Sequence, residues 1–182
     1  ATDIAIVKKL GFAIKLLAQT ELKDNSIDYR VAPTLLEKSS LLAQVSGAMN
    51  AVEVESDAVG KTFYYGAGAG GDATASAVLA DVIDCLRGHQ SQFVSNPSKE
   101  ALSFTPLSEQ TSRFYVRVQS TVIEQYLKEI ESVFKHNGIT TDEVYTDEQT
   151  AVFFTHPCKK GELDQALEQI SQLNSTEITI RT

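Results

Sequence analysis

Two amphipathic helical stretches with strand-like stretches around them constrain the fold of this sequence most. Apolar residues recur every three or four positions over 122–134 and again over 162–173, which is the spacing of one helix face. Shorter stretches with the apolar content of strands lie before, between and after them, at 114–118, 139–145, 151–155 and 177–180. This order predicts a ferredoxin-like βαββαβ unit, with both helices on one face of a four-stranded antiparallel sheet.

The first 88 residues predict a different set of elements. Thr2 and Asp3 are suited to cap a helix, and the apolar stripe of that helix would comprise Ile4, Val7 and Leu10. Extended segments are then predicted at 12–18, at 29–32 before Pro33, and at 51–55 and 61–65, the last two joined as a hairpin by the turn 57–60. A helix from about 74 to 87 closes this part.

A polar segment without periodicity separates the two parts. Residues 89–110 are rich in serine, asparagine, glutamine and proline, which is typical of a connecting segment. The sequence therefore predicts an α+β chain with a mixed-sheet domain at 1–88, a linker at 89–110 and the βαββαβ domain at 111–182.

Composition argues against several classes of function. The 182 residues carry a net charge of −8, whereas nucleic-acid binding requires a basic face. Apolar runs are far shorter than the roughly 20 residues that cross a bilayer. The two cysteines, Cys85 and Cys158, have no metal or redox spacing, so we expect no metal site and a reducing, cytoplasmic location.

A glycine-rich run, Gly66 to Gly71, follows a predicted strand and precedes a helix. It contains G-x-G-x-x-G, which is nominally a dinucleotide fingerprint and would suit a small, complete Rossmann enzyme. The acidic residue expected about 20 positions later is missing, because no acid occurs between 88 and Glu100. Two other interpretations stay open: a flexible strand-to-helix turn, or a loop whose backbone lies against a cofactor held mainly by another domain.

Five stretches of the first 88 residues carry a family resemblance. They are LGFAIKLLA at 10–18, RVAPTL at 30–35, VSGAMNAV at 45–52, DAVG at 57–60, and YGAGAGG at 65–71 followed by TASAV at 74–78. In this order, and followed by a βαββαβ tail, they resemble the C-terminal part of homoserine dehydrogenases. The tail is similar to the ACT domain carried by many bacterial members.

The resemblance implies a three-part oxidoreductase with a Rossmann domain for NAD or NADP, a substrate and dimerisation domain, and a regulatory tail. Such an enzyme interconverts L-homoserine and L-aspartate 4-semialdehyde on the route to threonine and methionine. The family's catalytic lysine matches no residue of this chain, so no catalytic residue is assigned, and the chain alone is expected to be inactive. Gly70 matches the glycine whose backbone lies against the nicotinamide end of the cofactor.

The resemblance also implies an effector site in the tail. ACT domains bind small amino acids where the first strand meets the first helix, here Gln119, Ser120 and Thr121. This chain lacks the proline and glycine of the effector-binding pattern, so threonine binding and a purely structural or dimerising role both stay open. The expected partners are a second copy of the chain and a small amino-acid effector; an independent amino-acid-binding ACT module is the alternative function.

Overall fold

The computed structural model describes residues 2–23, 25–88 and 102–173, and the backbone of 176–181. It divides the chain into two compact units, Ala1–Lys38 with Ala101–Thr182, and Ser39–Glu100. These units do not follow the predicted division at residue 88, because the N-terminal hairpin joins the same sheet as the C-terminal strands. Each unit is described by itself.

The first unit contains most of the regular structure. Its helices are α1 (Thr2–Lys9), α4 (Ile123–His136) and α5 (Lys160–Ser171), with a short 3₁₀ turn at Leu107–Glu109. Its strands are β1 (Phe12–Lys23), β2 (Ser26–Glu37), β5 (Ser103–Phe104), β6 (Thr111–Ser112), β7 (Phe114–Gln119), β8 (Thr141–Thr146), β9 (Thr150–Thr155), β10 (Cys158–Lys159) and β11 (Thr176–Arg181). The second unit contains α2 (Leu41–Gln44), β3 (Met49–Ser56), β4 (Gly60–Ala67) and α3 (Gly71–Leu86).

The main sheet of the first unit runs in the order β1-β2-β11-β7-β9-β8, with β5 also paired to β2. Within it, β11, β7, β9 and β8 are antiparallel neighbours. The predicted order of strand, helix, strand, strand, helix and strand is present, and each element boundary lies within two residues of its predicted position. The helical and strand periodicities of this part therefore predicted its elements correctly.

One face of this sheet is covered by α4 and α5. Phe114, Val116 and Val118 alternate along β7 toward these helices and are fully buried. The helices contribute Ile123, Ile130, Phe134, Leu163, Ala166, Leu167 and Ile170 to this core, and Ile139, Ala151, Phe153 and Cys158 complete it. Val122, which was predicted to belong to the apolar face of the first helix, instead precedes α4 and is exposed.

Helix α1 takes part in a second apolar cluster of this unit. Ile6 and Val7 are buried there with Leu35, Tyr115 and Val152. The predicted stripe was therefore wrong in part, because Ile4 is 61% exposed while Ile6 is buried. The adjacent residues Ile6 and Val7 both pack into this cluster, with Leu10 packed against it.

The β1–β2 hairpin is longer than predicted and continues through Pro33, which pairs with Leu16. The expectation that the second strand ends at Pro33 is wrong. On the side of β2 away from β1, the described strand pairs involve Ser26, Ile27 and Thr34. Pro33 itself is in none of these described pairs, so its missing N–H donor breaks no described contact on that side.

One face of this hairpin is apolar and exposed. Paired residues of neighbouring strands lie on the same side of a sheet, so the register places five large side chains together: Leu16, Leu22, Tyr29, Val31 and Phe104. Tyr29 and Phe104 meet edge to face with ring centroids 5.3 Å apart. The opposite face mixes polar and apolar side chains, and there Arg30 donates from Nε to Gln19 Oε1 at 2.9 Å.

Residues 89–101 of the predicted linker 89–110 lie outside the described residues. The remaining part, 102–110, is described and contains regular structure. Residues Ser103 and Phe104 form β5. Gln110 is buried, and its Nε2 donates to the carbonyl oxygens of Tyr29 and Thr105 at 3.4 and 3.3 Å. The prediction of a linker reaching 110 was wrong for these residues, because their backbone pairs with β2.

The second unit contains the predicted hairpin and helix but no described residue that is buried. Strands β3 and β4 are antiparallel over their whole length, which confirms the hairpin. Helix α3 exposes an apolar row, Val78, Leu79, Val82, Ile83 and Leu86. A two-stranded hairpin is at best marginally stable alone. Covering the exposed apolar surface of α3 would therefore stabilise this unit.

Candidate functional site

The glycine run forms the junction between β4 and α3. Gly70 precedes the helix with φ 118° and ψ 150°, a region that essentially only glycine adopts. Its carbonyl oxygen accepts from the Thr74 backbone N–H at 3.1 Å and from Thr74 Oγ1 at 3.0 Å. The conformation of Gly70 therefore fixes the direction in which α3 starts.

The space beside Gly70 is open. A Cβ on Gly70 would meet no atom of the chain within 4 Å. The helix starts there without a side-chain cap, and its N-terminal N–H groups carry the positive end of the helix dipole. The junction can thus present bare backbone to a neighbouring group.

Gly68 is the glycine at which the chain itself is crowded. A Cβ there would collide with the side-chain amide of Asn50. The Gly68 N–H also donates to the carbonyl oxygen of Ala48 at 3.3 Å. The G-x-G-x-x-G pattern did not distinguish this packing role from the conformational role of Gly70, because the contact crosses the hairpin.

The strand before the glycine run does not have the context of a Rossmann domain. Strand β4 pairs antiparallel with β3 in a two-stranded sheet. A dinucleotide fingerprint opens a βαβ unit, in which the strand before the glycines has a parallel neighbour. Within the described residues of this unit no parallel strand follows α3.

The turn between β7 and α4 brings Gln119, Ser120 and Thr121 together. Gln119 pairs with Thr150 of β9, and the Ser120 N–H donates to the Gln149 carbonyl oxygen at 2.9 Å. Ser120 Oγ accepts from the Val122 N–H at 3.4 Å. Thr121 is exposed.

Neither Ser120 nor Thr121 caps α4, although serine and threonine before a helix often do so. The residue at the cap position is Val122, and no side chain caps the first turn. The Ser120 hydroxyl instead accepts from the Val122 N–H and closes the turn before the helix. The amino-terminal end of α4 is available to an acceptor from outside the helix.

Three residues that the sequence did not connect form a buried polar cluster. Arg117 Nε donates to Asp3 Oδ1 at 2.7 Å, and Tyr115 Oη donates to the same oxygen at 2.9 Å. Burial and the Asp3 carboxylate raise the pKa of Tyr115 well above its usual range. Asp3 was predicted only as a helix cap; its partners lie more than 110 positions away, beyond any local pattern.

The two histidines within the described residues and both cysteines have ordinary structural environments. His156 Nε2 lies 3.2 Å from Asp142 Oδ2 at the surface. At the end of α4, the side chain of Asn137 rather than His136 donates to a helix carbonyl, that of Val133 at 2.8 Å. Burial raises the pKa of the Cys158 thiol, whereas Cys85 is exposed.

The described residues contain no group of three or more histidine, cysteine, aspartate or glutamate side chains arranged to hold a metal ion. In the same part of the chain, no helix is both long enough and apolar enough to cross a membrane.

Comparison with known proteins gives a consistent result. The family model described as homoserine dehydrogenase matches residues 1–83. Curated homoserine dehydrogenases from Neisseria gonorrhoeae and Helicobacter pylori are 37% and 31% identical over 96% and 95% of this chain. The chain is thus similar to homoserine dehydrogenases over nearly its whole length. Both relatives are named homoserine dehydrogenase, and the chain spans only 43% and 42% of their lengths.

Solved structures of homoserine dehydrogenases have the same mixed α and β architecture. The structure from Thiobacillus denitrificans matches 99% of this chain with a TM-score of 0.86 and 33% identity, and the match covers 44% of that protein. A structure from S. aureus matches with a TM-score of 0.67 and 25% identity. The likeness extends over both units of this chain and includes the residues beyond the family model.

Proposed function

We propose that this chain forms the C-terminal part of an NAD- or NADP-dependent homoserine dehydrogenase that interconverts L-homoserine and L-aspartate 4-semialdehyde in threonine and methionine biosynthesis. The observation that carries this proposal is the similarity to homoserine dehydrogenases over 96% of the chain at 37% identity. The enzyme would be cytoplasmic. Its predicted division places the end of the substrate domain at 1–88 and an ACT-like domain at 111–182.

The glycine run would form one wall of the nicotinamide pocket in that enzyme. Open space beside Gly70 and an uncapped helix start are compatible with a flat group lying against the backbone. The bound cofactor would supply or accept the hydride. The residues of this chain would exclude water from one side of the ring and limit its position, since a misplacement of about 1 Å can cost about 100-fold in rate.

The chain alone would not catalyse this reaction. The family's catalytic lysine matches no residue of this chain, and within the described residues the glycine run lacks the parallel neighbouring strand of a dinucleotide-binding βαβ unit. Oxidation of NADPH or NADH with L-aspartate 4-semialdehyde, measured on the chain alone and on a complete enzyme that carries it, tests this proposal.

The exposed apolar surfaces support association within a larger enzyme. The second unit buries none of its described residues, and α3 exposes five apolar side chains. Contiguous apolar surface of this kind usually marks a contact with another part of a protein. The proposed enzyme is a homodimer or a higher homo-oligomer, with this unit contributing to the contacts.

We further propose that the C-terminal βαββαβ segment is an ACT-like regulatory domain. Its strand order β11-β7-β9-β8, with α4 and α5 on one face, supports this assignment. The effector site would be the β7–α4 turn, where the Ser120 hydroxyl and the uncapped start of α4 could hold the carboxylate of threonine. The alternative, an independent amino-acid-binding module, uses the same turn.

Calorimetric titration of the chain with threonine, isoleucine and methionine tests the effector site. We expect threonine to bind, and Ser120→Ala to weaken it about tenfold through loss of one hydrogen bond to a charged group. Ser171→Ala is the matched control, because the Ser171 hydroxyl contacts only its own helix at the Glu168 carbonyl. If none of the three amino acids gives a heat of binding, the effector site is excluded and the segment has only a structural or dimerising role.

A further inference from the structure

A guanidinium group lies almost fully buried in the main sheet of the first unit. Arg117 is in the middle of β7, and only 5% of its side chain is exposed. Its Nε and Nη2 lie 2.7 and 3.5 Å from the two carboxylate oxygens of Asp3 in α1. Among the described residues, Asp3 is the only acid that pairs with this guanidinium.

Tyr115 completes the surroundings of this carboxylate. Its hydroxyl donates to Asp3 Oδ1 at 2.9 Å, from a ring that is itself buried. Burial is the largest cause of its raised pKa, so the hydroxyl stays protonated and remains a donor. The sheet therefore directs three hydrogen-bond donors toward one carboxylate.

The energetic consequence is a strong dependence of Arg117 on its partner. A buried cation without a counter-charge is costly, and removing one member of a buried pair is much more disruptive than removing an exposed one. Asp3 is also the less buried partner, at 17% exposure of its side chain. The Asp3 carboxylate therefore keeps some contact with solvent, although α1 covers the site.

We propose that Arg117 and Tyr115 form a carboxylate-binding site on the sheet, and that Asp3 occupies it as a ligand belonging to the chain itself. Occupancy by Asp3 holds the first turn of α1 on the sheet, while Ile6 and Val7 provide the apolar contact. Occupancy by the Asp3 carboxylate and binding of an external monocarboxylate are then mutually exclusive, whereas the rest of α1 can stay docked over either one. A small carboxylate such as acetate fits the three donors once the Asp3 carboxylate is removed.

Chemical rescue tests this site directly. Asp3→Ala should accelerate amide hydrogen exchange in α1 at least about tenfold, because local opening there no longer breaks the Arg117 contact. Acetate at about 100 mM should slow this exchange again, whereas sodium chloride at the same ionic strength should not, which separates binding from screening. Tyr115→Phe in the Asp3→Ala background should weaken the response to acetate about tenfold, through loss of one donor.

Two controls make the test specific. Asp142→Ala removes an exposed carboxylate whose partner is the exposed His156, and should change neither the exchange of α1 nor its response to acetate. Arg117→Met in the Asp3→Ala background should abolish the acetate response while leaving an apolar side chain of similar length.

Three outcomes would overturn the proposal. They are unchanged protection of α1 in Asp3→Ala, an equal effect of acetate and chloride, and an acetate response that survives Arg117→Met. If Asp3→Ala does not fold, the exchange of α1 is compared between wild type and Asp3→Asn, because asparagine keeps the shape of the side chain and removes its charge. Protection of α1 equal to wild type in Asp3→Asn would likewise contradict a carboxylate site.

Discussion

Replacing Phe153 with alanine is expected to lower the free energy of unfolding of the first unit by about 3–5 kcal/mol. Phe153 lies in β9, is fully buried, and packs against Phe134 of α4 with ring centroids 5.5 Å apart. Truncation removes the transfer free energy of the ring, leaves a cavity between sheet and helix, and ends an aromatic contact. The loss is a large share of the stability of a typical domain.

Urea denaturation followed by circular dichroism and tyrosine fluorescence measures this effect, since the chain contains no tryptophan. Phe104→Ala is the matched control: its ring is 65% exposed and contacts only Tyr29 among the described rings. Its cost should stay below about 1 kcal/mol, as for most surface substitutions. Equal midpoints for the two variants would contradict the placement of the core between this sheet face and α4.

Replacing Gly70 with alanine should reduce turnover about 100-fold in a complete homoserine dehydrogenase that carries this segment. The φ of 118° and ψ of 150° are accessible only to glycine at low cost, so alanine adds roughly 1–3 kcal/mol of strain or shifts the start of α3. Either result moves the backbone that is proposed to face the nicotinamide, or places a methyl group there.

Gly66→Ala is the matched control within the same glycine run. Gly66 is in β4, its backbone lies outside the left-handed region, and a Cβ there meets no atom within 4 Å. This variant should keep turnover within about threefold of wild type, whereas the Gly70 variant loses rate mainly in kcat. A Gly70→Ala enzyme with the wild-type kcat would remove the assignment of Gly70 to the cofactor pocket.

Local periodicity was sufficient to predict the C-terminal elements. The apolar faces of α4 and α5 repeat at helical spacing, and β7 alternates toward them, so the elements follow from neighbouring residues. The same reasoning located the β3–β4 hairpin from alternation and turn residues. In each case the information lies within about 15 residues of sequence.

The associations between distant segments could not be predicted in this way. Strand β2 pairs with β5 and β11 through backbone groups, as at Thr34 and Arg181, and backbone pairing leaves no pattern in the side chains. This pairing is why the compact units differ from the predicted division at residue 88. The contact of Asp3 with Arg117 is similarly invisible, since either charge alone is typical of a solvated surface.

The assignment of the site residues stays a prediction. The resemblance assigned Gly70 to the cofactor site, and the structure adds a conformational reason for glycine at that position. It did not identify Gly68, whose requirement comes from Asn50 across the hairpin. Ser120 and Thr121 lie between β7 and α4, where the sequence placed the junction of strand and helix, and the Ser120 hydroxyl closes this turn without capping the helix.

Turnover with L-aspartate 4-semialdehyde and NADPH or NADH tests the central claim most directly. The 182-residue chain alone should oxidise neither cofactor above background. A complete enzyme with these residues as its C-terminal part should oxidise at least one of them and form L-homoserine. Robust turnover by the isolated chain, or a folded complete enzyme that forms no homoserine, would contradict the account.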